Sequence, residues 1–141
     1  MKKLIFALIA ILMLSSQAYS TAVSPVISIQ RSLGIWGDWT VTWSSITTTN
    51  NTCTQYVEAD KFSAMTVQIL GTWNGATVTL FGSNDSGTTW FPLIAVETAA
   101  AISMTSNDQE TVLNTPSGQV KWVLAGGGVS TSLKVIIKGQ R

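Results

Sequence analysis

Short runs of strict apolar and polar alternation dominate this chain. From Trp39, the residues Trp39, Val41 and Trp43 fall on one side of an extended segment, with Thr40 and Thr42 on the other. Met65, Val67 and Ile69 alternate in the same way with Thr66 and Gln68. Asn74–Gly75 follows, the dipeptide best suited to a two-residue type I′ hairpin. Beyond it Ala76, Val78 and Leu80 alternate with Thr77, Thr79 and Phe81. The stretch GSNDSGTTW (82–90) turns the chain again into WFPLIAV, so the pattern predicts a three-stranded antiparallel meander with Asp85 at its second corner.

Later segments repeat this grammar. AAAISMTSND (99–108) suits a short strand and a loop, and ETVLN (110–114) a strand that stops at Asn114–Thr115–Pro116. The final stretch reads as a hairpin around Gly126, Gly127 and Gly128. In it Val120, Trp122 and Leu124 face one way, as do Leu133, Val135 and Ile137, while Lys134 and Lys138 point outward and blunt a sheet edge. SSITTTNNTCTQ (44–55) has no period and is predicted to be a long polar loop. About eight short strands with frequent turns and no helix predict an all-β fold, an antiparallel β-sandwich of jelly-roll type. Trp39, Trp43, Trp90 and Trp122 are expected in its core.

The N-terminus breaks the pattern. Lys2 and Lys3 precede an unbroken apolar run from Leu4 to Leu14, and Ser16, Ala18 and Ser20 offer small residues for cleavage. The run is well short of the roughly 20 residues that span a bilayer, so residues 1–20 read as a secretory leader. Residues 21–34 form an extended arm, and 35–141 a single sandwich domain. Losing two lysines with the leader takes the net charge from +1 to −1, which gives no electrostatic case for nucleic acid.

Composition then removes most chemistry. The chain has no histidine, which excludes Ser-His-Asp and Cys-His catalysis and the commonest transition-metal ligand, and no cofactor or metal site is predicted. Cys53 is the sole cysteine and reads as a small, partly buried thiol. AGGGVSTS lacks the lysine and helix of a phosphate loop. Asn50 and Asn84 head N-x-[ST] sequons, relevant only in a eukaryotic secretory pathway. Asp38, Glu58 and Asp60 are the one carboxylate set that invites a glycosidase comparison, and they sit in polar, turn-like sequence where acids are usually just solvated.

Ser83, Asp85, Gly87, Thr89 and Trp90 match the S-x-D-x-G-x-T-W spacing of an Asp-box, a motif known from sialidase propellers. A propeller repeats its motif in every blade of roughly 40–50 residues, and here it occurs once. Short side-chain oxygens that bond backbone N–H groups ahead of them, and a glycine free to take positive φ, make it a structural corner. Trp36 and Trp73, beside turns, are the candidates for a surface that stacks on sugar rings.

VQILGTWNGATVTLFGSNDSGTTWFPL, followed by VLNTPSGQVKWVLAGGGVSTSLKVII, resembles a family of small structural proteins of tailed bacteriophages. The resemblance implies a non-enzymatic virion component, a head decoration or cement protein of β-sandwich fold. Such a protein would bind the major capsid protein or other virion subunits, as a homotrimer between capsomers. The chain departs from that pattern in its leader and in Pro116–Ser117–Gly118–Gln119, where such proteins carry P-R-Y. The alternative is a secreted carbohydrate-binding or adhesion module, supported by the leader and the tryptophans.

Overall fold

The computed structural model describes residues 22–29, 39–53, 59 and 62–140. Eleven strands occur among them: β1 (Ala22–Val23), β2 (Val26–Ile29), β3 (Trp39–Ile46), β4 (Thr52–Cys53), β5 (Ala64–Thr72), β6 (Ala76–Ser83), β7 (Phe91–Pro92), β8 (Ser103–Met104), β9 (Asp108–Thr111), β10 (Gln119–Gly126) and β11 (Ser132–Gln140). No α-helix occurs among the described residues. One antiparallel sheet has the order β2-β3-β11-β5-β9. A second has the order β10-β6-β7, with β8 also on β6, and β1 and β4 form a small parallel pair. The fold is an all-β sandwich, as the alternation predicts.

Cross-strand register turns that alternation into layers. Ile27, Val41, Ile137, Val67 and Glu110 form one inward row across the five-stranded sheet. Val26, Thr42, Ile136, Gln68 and Gln109 form an outward row. From the opposite sheet Val78, Leu80 and Trp122 enter the core, where Trp43, Ile69, Leu93, Ile102 and Leu133 are also buried. Trp39 and Trp43 are core residues as expected, and so is Trp122, whereas Trp90 is only half-buried.

Two predicted hairpins are corrected. Asn74 and Gly75 both have positive φ (43° and 78°), and Ala76 N–H donates to the Trp73 carbonyl at 2.8 Å, so the tight turn exists. It does not join paired strands: β5 pairs with β11 and β9, while β6 pairs with β10, β7 and β8. The turn is an arch from one sheet to the other. The Gly126–Gly128 loop is a second arch, from β10 to β11, rather than a hairpin. The arches lean on one another, with Asn74 Nδ2 donating to Ser130 Oγ at 3.1 Å and Thr131 Oγ1 to the Trp73 carbonyl at 3.2 Å. The departure from hairpin geometry begins at Gly71, whose φ of 138° no L side chain adopts comfortably, and where a Cβ would run into the Ser132 carbonyl. Asn107 Oδ1 fixes the bend by accepting from Gly71 N–H and Trp73 Nε1–H, each at 2.8 Å.

Four smaller points follow from the same topology. The second corner of the predicted meander does join paired strands, β6 and β7. The expected 44–55 loop begins later, because a bulge at positive-φ Ser45 lets β3 continue to buried Ile46, and Thr52–Cys53 pairs with β1. Lys134 and Lys138 do point outward, but from β11 at the centre of its sheet, so they guard no edge. Within the 21–34 arm, β2 is a full member of the five-stranded sheet.

Candidate functional site

The Asp-box corner links the end of β6 to β7. The Ser83 hydroxyl, fully buried, donates to Asp85 Oδ1 at 2.7 Å and accepts from Gly87 N–H at 2.8 Å. Asp85 Oδ1 also accepts from Thr89 N–H at 2.8 Å, and the Thr88 hydroxyl donates to the Asp85 carbonyl at 3.0 Å. The Thr89 backbone N–H, then the Thr89 and Ser83 hydroxyls, hold the Asp85 carboxyl down to a pKa of about 2. Gly87 sits at φ 86°, and a Cβ there would lie 2.6 Å from Gln119 Oε1.

The corner grips the approach to β10. Asn84 Oδ1 accepts from the Ser117 N–H at 2.7 Å and the Ser117 hydroxyl at 3.2 Å. Lys121 Nζ lies 4.0 Å from the Trp90 ring centroid and 5.9 Å from that of Phe81, a cation between two aromatic faces. Ser83 and Asp85 are thus engaged in shaping the turn, with the Asp85 carboxylate holding the Ser83 hydroxyl and the Thr89 N–H together.

Other candidates are placed as follows. Trp73 is half-buried against the core, with its indole N–H held by Asn107. Trp36, Asp38, Glu58 and Asp60 lie outside the described residues, as does the leader over 1–20. Cys53 Sγ accepts from Trp122 N–H at 3.5 Å, and burial pushes its thiol up to about 12 despite that bond and nearby Lys121. Such a thiol is a poor nucleophile.

Sequence reasoning missed two features. Asn114 Oδ1 accepts from Ile94 N–H at 2.6 Å while its amide donates to the Pro92 carbonyl at 3.1 Å, tying two irregular segments together. Its place directly before a Thr-Pro turn was the available signal. Asp108 and Glu110 occupy inward positions on β9 and line a cleft of about 270 Å³ with Ser103, Thr105 and Ser106. Desolvation, then the charges of Glu97 and Asp108, raise the Glu110 carboxyl, whose Oε2 is buried with no hydrogen-bond partner. Its alternation with Val112 in ETVLN was legible, but not that its strand lies at a sheet edge.

No group of three or more potential metal ligands is assembled among the described residues, and no helix among them is long and apolar enough to cross a membrane. Comparison with protein-family models, with curated proteins and with solved structures finds no match to this chain.

Proposed function

We propose that the protein is a non-enzymatic structural subunit of a bacteriophage virion, a decoration or cement protein that binds the major capsid protein across capsomer seams. The observation that carries this reading is the Asp-box corner, whose polar side chains hold the turn and the approach to β10. The outer face of the five-stranded sheet is built mainly of Thr and Gln, with Lys134 and Lys138 from β11 among them. A cement protein works by contact: apolar burial stabilises by about 25 cal/mol per Å², and repetition over symmetry-related copies multiplies a weak contact. The polar segment 44–55 and the arm 21–34 are the proposed contact segments.

Peptide mass spectrometry on purified particles and on the secreted fraction of the same culture tests the reading. Recovery in particles supports it, and the N-terminus found there says whether the leader is kept. Recovery only as a soluble secreted chain starting near Thr21 overturns it.

One observation favours a second reading, a secreted glycan-binding or adhesion module. Half-buried Trp90 and Phe81 flank Lys121 on an outer face. Quenching of tryptophan fluorescence by oligosaccharides, with no recovery in particles, selects that reading.

A further inference from the structure

A β-sandwich exposes sheet edges, and each is a row of main-chain donors and acceptors able to pair with another strand. On the four-stranded sheet, β10 is flanked by β4, whose Cys53 sulfur takes the Trp122 N–H. The far side of β6 carries β7, β8 and the segment between them, bridged at Ile94 and Ala101. On the five-stranded sheet, β9 is partly covered where Thr111 accepts from Val96 N–H at 2.8 Å and Ala95 bridges Val112. Its remainder carries Asp108 and Glu110 on the inward side, and charges in that position prevent another strand from docking.

β2 differs from all of these. Its sequence, VISI, has no charge and no proline. Val26 is 70% exposed and Ile27 47% exposed, although Ile27 belongs to the inward row that continues into fully buried Val41, Ile137 and Val67. Among the described residues, no strand continues that row beyond β2. We infer that β2 is a self-association edge, pairing antiparallel with β2 of a second copy of this chain about a two-fold axis.

The second copy is the occupant the edges favour. Among the described residues its other edges are at least partly covered or carry charged side chains, so β2 is the ladder it offers. A two-fold normal to the sheet makes that strand self-complementary. With the axis beside Ile27, the Ile27 residues of the two copies face each other on the inward side, and the backbone of Val26 pairs with that of residue 28. The absence of charge removes any repulsion between like strands. A four-residue ladder buries less than the roughly 1,200 Å² of a standard interface, so the dimer is weak and reversible. The inference stands on the sheet edges alone and does not depend on the capsid reading.

Sedimentation equilibrium on the purified protein, from about 10 µM to about 1 mM, tests it. The wild type is expected to dimerise with Kd on the order of 100 µM. Ile27→Lys should weaken this at least roughly tenfold, while Val129→Lys, at a fully exposed position on the β10–β11 arch, leaves it unchanged. Val26→Lys keeps Ile27 in place and should give the same loss, which decides the matter if Ile27→Lys lowers the melting temperature. A wild type that stays monomeric throughout, or association insensitive to both lysines at β2, overturns the inference.

Discussion

Replacing Ser83 by alanine tests whether the Asp-box is a structural corner. The hydroxyl is fully buried, and its bond from Gly87 N–H, at 2.8 Å, holds the positive-φ residue that closes the loop. Losing such a bond costs about 1 kcal/mol, rising toward 2 where the orphaned N–H is poorly hydrated. The bond to Asp85 adds little to this figure, because the carboxylate is solvent-exposed and water replaces the hydroxyl. At about 4 °C per kcal/mol for a chain of this size, Ser83→Ala should lower the melting temperature by about 4–8 °C. Thr88→Ala, which removes an exposed hydroxyl bonded to the Asp85 carbonyl, should lower it by much less. The Asp85 carboxyl lies below its unfolded value, so its contribution is present above about pH 4 and is lost as pH falls through about 2. The Thr89 N–H, which dominates that shift, is kept in Ser83→Ala, and the Gly87 N–H bond does not titrate, so the gap between wild type and variant should change little from pH 7 to the acid end. Circular dichroism melts from pH 7 to pH 2 measure both effects. A Ser83→Ala shift within about 1 °C, or an equal shift from Thr88→Ala, would refute the corner as the source of stability.

Three further expectations rest on other parts of the fold. Gly139→Ala places a methyl group against the Phe62 ring, which meets Trp39 edge-on at 6.4 Å, and overpacking of about 1–3 kcal/mol should appear as a lower urea midpoint. Glu110→Gln should raise the melting temperature at pH 7. A raised folded pKa means that stability is fully present below the ordinary glutamate value of about 4.3 and is lost as pH rises through the folded value, so the variant's advantage should vanish in acid. An advantage that persists below pH 4 would count against this account. Cys53, with its thiol near 12, should react with Ellman's reagent at pH 8 at least roughly a hundredfold more slowly in the native protein than in urea, and equal rates would contradict its burial.

The elements were legible because their signals are local. Trp39, Val41 and Trp43 alternate and are buried, and the Asp-box closes on itself within seven residues, from Ser83 to Thr89. The connections were not legible, for a geometric reason. A two-residue turn at Asn74–Gly75 would set Ile69 beside Leu80 on one face of a hairpin. In the arch the same residues lie in opposite sheets, Ile69 paired with Val135 and Leu80 with Trp122. Both arrangements bury Ile69 and Leu80, so alternation cannot choose between them. What chooses is distant in sequence: the Ser132 carbonyl beside Gly71, and the Asn107 side chain that holds Gly71 and Trp73.

The same non-local choice decides which strands end up at the edges of the five-stranded sheet. Each arch sends neighbouring segments to opposite sheets, so β11, from the C-terminal end, becomes the central strand between β3 and β5. The N-terminal β2 is left on one flank and β9 on the other. A chain built this way gains little from its early strands alone, since β3 and β5 meet only through β11, and such long-range pairing is slow to form. An edge able to accept foreign strands is a hazard during that interval. At β9 the hazard is met by Asp108 and Glu110, with Glu110 ionising against desolvation. At β2 no such guard is present, and Val26 and Ile27 remain exposed. A fold that ends one inward row in the Glu110 carboxylate on β9 and in bare Ile27 on β2 distinguishes a closed edge from an edge for assembly.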